Sequence, residues 1–210
     1  MSAFLGPIHY WMYHKILWHE ALLSSIQAEG LRQSPDTSAI LSASEAAYGS
    51  PASGELGDVI AHDNIHGWLQ ERVTSVETRI AYVVTALLKQ DILTESQLAH
   101  VFAEHGRITI ASLPVSDDLS PSGLFKLLNN HLLEGMPCDS INKPVVSDDH
   151  NFGWVRTQCI HQDYWNQVGG HVSVFYRLRD ALIHAFVKGA GDRFQFQVTP
   201  EGTNLIQEVA

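Results

Sequence analysis

From His62 onward the chain returns to a single helical face by steps of four and three, through His66, Leu69, Val73, Val76, Ile80, Val83 and Leu87. This period predicts one long helix from Asp58 to Gln90, with a buried stripe whose first two members are histidines. A first helix is predicted over 7–29, with Pro7 at its start and Gly30 as its stop. It is apolar nearly all round, and His9, Tyr13, Ile16, Glu20 and Leu23 share one of its faces. The Ser-, Ala-, Gly- and Pro-rich stretch 31–57 reads as a long connection, either mobile or a lid. Thr94 and Gln97 form a capping box for a helix reaching His105. Ser120-Pro121 opens another that ends near Gly135.

The pattern changes after Met136. Apolar runs at Ile141–Val146 and Phe152–Ile160 flank Ser147-Asp148-Asp149-His150-Asn151 and predict a β-hairpin. A helix follows over 162–188, broken at Gly169-Gly170, in which His171 begins a stripe with Val174, Phe175, Leu178 and Leu182. Alternation of Phe194, Phe196 and Val198 reads as a strand. The expected fold class is α+β and mostly α. A helical bundle over 1–135, with the long loop 31–57, packs on a small α+β part over 136–210, and the two can share one core.

Composition narrows the function classes. The formal net charge of −10, from 13 basic and 23 acidic residues, comes without a Lys/Arg cluster. Such a surface repels phosphate backbones and anionic lipid, so nucleic-acid and membrane partners are not expected. No apolar run approaches the roughly 18–20 residues of a membrane span. The N-terminus lacks the basic segment of a secretory signal. Two cysteines provide no disulfide framework and suit a reducing cytoplasm. A small-molecule ligand or substrate is the expected partner, and a homodimer is allowed.

The 12 histidines are the one compositional excess. His62 and His66, one helical turn apart, would set two imidazoles on one face about 6 Å apart at Cβ. A pair so placed can donate two nitrogens to one metal ion. His9, Glu20 and His171 are further candidate cofactor-binding residues. Glu20 is the carboxylate expected to turn inward, but about 16 Å of helix separates it from His9. Zinc or iron is the expected ion, with haem held against the aromatic first helix as a lesser alternative. The absence of any Glu-x-x-His disfavours a di-iron bundle. His-x-x-x-His also arises by chance in amphipathic helices, which keeps open a structural or interaction protein without a cofactor.

A second chemistry centres on Cys159, two residues before His161, as a nucleophile with its base. In the hairpin register Cys138 would approach His161, and Asp139 would lie nearby as a fourth possible metal ligand, although no Cys-x-x-Cys is present. A strand ending in Cys159, a helix through Tyr164 and Trp165, and Asp180 four residues before His184 and Phe186 continue into Phe194–Val198 and Gly202. This stretch, Trp154 to Gly202, resembles the L-2-amino-thiazoline-4-carboxylic acid hydrolase-like family. A cysteine expected soon after Gly202 is replaced by Thr203, Asn204 and Leu205. The resemblance implies a small cytoplasmic hydrolase-like fold with Cys159 and Asp180 as functional positions. The corresponding activity would be cysteine-dependent hydrolysis of a small amide-like or heterocyclic substrate.

Overall fold

Along the chain come α1 (Pro7–Gln33), α2 (Thr37–Tyr48), α3 (Leu56–Val59), α4 (Ile65–Lys89), α5 (Glu95–Ala111), α6 (Pro121–Asn129), β1 (Asn142–Ser147), β2 (Asn151–Arg156), α7 (Gln162–Gln167), α8 (Val172–Gly189), β3 (Phe194–Val198) and β4 (Asn204–Glu208). This is the mostly helical α+β fold that the sequence predicts. The structure, a computed structural model, describes residues 5–135 and 139–209. It falls into two compact units, one of residues 1–94 with 160–172 and one of 95–159 with 173–210. The expected break near 135 therefore lies elsewhere, because α5 and α6 belong with the sheet. Among the described residues no helix is long and apolar enough to cross a membrane.

Unit 1 is built on α4. Leu69, Val73, Val76, Ile80, Val83 and Leu87 are all buried, as the stripe requires. The helix starts later than expected, because Asn64 caps it by accepting a hydrogen bond from Gly67 N–H at 3.1 Å. His62 therefore precedes the helix, and the His-x-x-x-His spacing never becomes a helical face. Gly30 does not stop α1 either. It is buried within the helix, with the Thr37 and Leu87 side chains against its Cα, so that a Cβ there would collide with Thr37.

The predicted connection 31–57 contains α2, which packs on α4 with Thr37, Ile40 and Ser44 inward. The chain beyond α2 is tied down rather than free. Ser75 Oγ donates to Tyr48 O at 2.6 Å, Ala52 N–H donates to Glu20 at 3.0 Å, and Tyr13 Oη donates to Gly54 O at 3.0 Å.

Unit 2 holds a four-stranded antiparallel sheet in the order β1-β2-β4-β3. The hairpin turns where Asp148 Oδ1 accepts from both His150 N–H at 2.9 Å and the Asn151 side chain at 3.0 Å. Phe152, Trp154, Phe194, Phe196 and Ile206 are buried, and α6 packs on β2 and β4 with Phe125 stacked on Phe152. α5 and α8 approach closely where Gly106 faces the Leu182 carbonyl, a contact that leaves no room for a Cβ. The break at Gly169-Gly170 separates α7 from α8 as predicted. His171 lies exposed just before α8 and takes no part in its buried stripe.

Candidate functional site

Two features in unit 2 set out a candidate site: the end of β2, at Arg156, and one face of α8. Tyr176, Arg179 and Asp180 are spaced by three and four residues, so they neighbour one another on the helix. The Arg156 guanidinium lies over the Tyr176 ring, 4.1 Å from its centroid, an attraction that strengthens as water is excluded. Tyr176 Oη donates to Cys159 Sγ at 3.1 Å, bringing the loop after β2 onto the same helix. Arg179 forms an ion pair with Glu134, and both side chains are buried.

Burial disturbs three of the ionisable groups. It pushes the Tyr176 phenol well up, assisted by the hydrogen bond to Cys159. It lowers Arg156, which the neighbouring Arg179 charge lowers further. Asp180 is raised, again chiefly by burial, against the pull of Arg179 and Arg156. Among the described residues, Arg156 Nη1, Arg179 Nε and Nη2, and Asp180 Oδ1 are shut off from water without a hydrogen-bond partner. Glu134 neutralises Arg179. Arg156 and Asp180 are left as a cation and an acid that make no ion pair with each other among the described residues. Buried polar atoms are nearly always partnered, so this set is a candidate site.

The Asp180 shift has a measurable sign. Its folded pKa lies above the unfolded one, so its contribution to stability is present in acid and lost as pH rises through the folded value. Asp180→Asn removes the ionisation that burial opposes. Chemical denaturation should find the variant more stable than the parent at pH 7. The difference should close below the ordinary Asp value of about 3.9. Equal stability at neutral pH would show that the carboxylate is satisfied where it lies.

The other sequence-predicted residues lie in unit 1 or apart. His62 is exposed and donates from Nε2 to Gly57 O at 3.1 Å. His66, at the start of α4, is also exposed, so the inward-facing pair expected from the sequence does not form. His66 instead meets His9 of α1, with the two Nε2 atoms 3.2 Å apart. Glu20 does turn inward, where it pairs with the buried Arg79 of α4. His161 is 1% exposed and faces Glu77 at 3.8 Å within unit 1, whereas Cys159 is exposed and takes its hydrogen bond from Tyr176. Of the proposed convergence of Cys138, Cys159 and His161, the structure places Cys159 beside Tyr176 and His161 beside Glu77. Strand pairing ends at Asn142 with Arg156, and Cys138 lies outside the described residues. His19 is buried with Nδ1 on Lys15 O at 2.9 Å. Among the described residues no group of three or more His, Cys, Asp or Glu side chains is placed to hold a metal ion.

Sequence reasoning missed Arg156, Tyr176, Arg179 and Glu134. The available signal was Arg179-Asp180 inside the apolar stripe of α8, next to Leu178 and Leu182. Comparison with family models, curated proteins and solved structures yields no match to this chain.

Proposed function

We propose that unit 2 binds a small molecule bearing a carboxylate and an N–H donor, and presents it to the thiol of Cys159. One observation carries the reading: the half-buried Arg156 guanidinium has no carboxylate in ion-pair contact among the described residues, and its Nη1 is closed to water without an acceptor. Leaving such a group unmatched costs about 1–3 kcal/mol, and more when it is charged. A ligand carboxylate would recover this through short charge-assisted hydrogen bonds. Asp180 supplies the complement, an acid whose Oδ1 lacks a donor and suits an amine or amide N–H. Cys159 stands exposed beside them, hydrogen-bonded by Tyr176. The resemblance of 154–202 to hydrolases of L-2-amino-thiazoline-4-carboxylic acid supports the same ligand class, since that molecule is a small heterocycle with an acid and an amino group. This reading assigns no role to His161, which faces Glu77 in unit 1.

Calorimetric titration with 5-oxopyrrolidine-2-carboxylate, its methyl ester and its N-methyl derivative tests the assignment. The free acid should bind, and each derivative should bind at least about tenfold more weakly. Arg156→Ala should weaken the acid by about 10- to 100-fold, the value of a charged hydrogen bond worth roughly 1.5–3 kcal/mol. Cys159→Ser should leave affinity unchanged. Ring-opened product from the wild type and none from Cys159→Ser would add hydrolysis to recognition. Equal affinity for acid and ester would refute the reading.

A further inference from the structure

In unit 1 the 3.2 Å separation of the His9 and His66 Nε2 atoms comes with ring centroids 5.3 Å apart and planes inclined at 46°. Two nitrogens bound at about 2.0–2.1 Å to one tetrahedral ion lie roughly 3.3–3.4 Å apart. The pair thus already has the span of a chelate. We propose that His9 and His66 form an exchangeable site for a borderline divalent ion of the Cu²⁺, Ni²⁺ and Zn²⁺ class, with water completing the coordination. Imidazole suits these ions, and Mg²⁺ prefers oxygen. With two protein ligands the site is open and labile, unlike a closed structural centre. The ion would lie about 1.3 Å to the side of the line joining the nitrogens, as the bond lengths require. Each ring must turn slightly to aim there, and His66 is exposed and His9 half-exposed, which leaves room for the motion.

The protons make the proposal specific. Gly6 N–H donates to His9 Nδ1 at 3.0 Å, so neutral His9 carries its proton on Nε2. That proton is shared with His66 Nε2, which leaves the His66 proton on Nδ1, the tautomer a metal ligand needs. His9 has the opposite one. To ligate through Nε2 it must move its proton to Nδ1, which can then no longer accept from Gly6. Here the His9 ring performs the part of a capping box that closes back on the helix start. Metal loading should therefore release the Gly6 N–H, which adventitious binding by any other exposed histidine would not do.

The test uses the full chain without a His-tag, titrated separately with Cu²⁺, Ni²⁺, Zn²⁺ and Mg²⁺ and followed by calorimetry and by the Gly6 amide resonance. One equivalent of Cu²⁺ should bind most tightly, with Ni²⁺ and Zn²⁺ weaker and Mg²⁺ absent. His66→Ala should reduce Cu²⁺ affinity at least tenfold, His9→Gln likewise, and the two together little further. His62→Ala should bind as the parent does, since His62 is engaged with Gly57. Loss of the Gly6 hydrogen bond on loading completes the expected result. Parent-like affinity in His66→Ala, or a Gly6 amide that does not respond to saturating Cu²⁺, would overturn the proposal.

Discussion

Arg79→Met is expected to destabilise unit 1 by about 3–5 kcal/mol, the value for breaking a buried ion pair by removal of one partner. Arg79 is 1% exposed and pairs with Glu20, which is itself buried. Without the guanidinium, the Glu20 carboxylate remains in the interior and keeps, among the described residues, the Ala52 N–H at 3.0 Å. Arg79 also donates from Nε to Ser75 Oγ at 3.3 Å, and Ser75 holds the Tyr48 carbonyl. One residue thus joins α1, α4 and the segment leaving α2. Glu20→Gln should lose less than Arg79→Met, because the amide oxygen still accepts from Ala52. The double variant Glu20→Leu/Arg79→Met should recover most of the loss, since two apolar side chains leave no orphan charge. The Ala52 N–H would still be unmatched, at about 1–3 kcal/mol. Denaturant midpoints for the four proteins decide the matter. A double variant no more stable than Arg79→Met would mean that packing, rather than charge, holds this part of unit 1.

Glu20 was expected inside, but its partner Arg79 shows what the sequence conceals. The stripe from Leu69 to Leu87 was legible because burial at steps of three and four leaves a periodic trace. Glu77 and Arg79 sit within the same apolar run, and nothing local separates a buried ion pair from a solvated one. The hairpin was legible through its turn residues, and the break before α8 through two adjacent glycines. α2 was not, because small Ser and Ala residues carry little hydrophobic contrast and only Thr37, Ile40 and Ser44 of it are buried. β4 escaped because Asn204, a polar residue, is wholly buried and spoils the alternation.

The candidate site was half visible. Cys159 stood out as a rare reactive type, but its hydrogen-bond partner Tyr176 is 17 residues away on another element. His161, two residues from Cys159, was the natural partner by proximity in sequence, and the chain turns it into unit 1. His9 and His66 were both singled out, yet their meeting across 57 residues is a property of the fold and not of spacing.

Trp154→Ala should cost unit 2 about 3–5 kcal/mol, the range for truncating a large buried aromatic. The ring is wholly buried on β2, with centroids 4.6 Å from Phe125, 6.3 Å from Phe152 and 6.1 Å from Phe196. Its removal would leave a hole bounded by strand backbone on one side and α6 on the other, neither of which can close without disturbing the sheet. The Trp154 carbonyl also receives the buried Asn204 side chain at 3.3 Å, so movement of β2 would disturb its pairing with β4. Trp154→Phe should cost far less. It loses volume but also removes a buried indole N–H that has no acceptor among the described residues. Because Arg156 comes two positions later on the same face of β2, the alanine variant should also weaken 5-oxopyrrolidine-2-carboxylate, and the phenylalanine variant should not. Denaturation and titration of the same two variants read both effects. A Trp154→Ala protein within about 1 kcal/mol of the parent would mean that the sheet's core is organised around some other side chain.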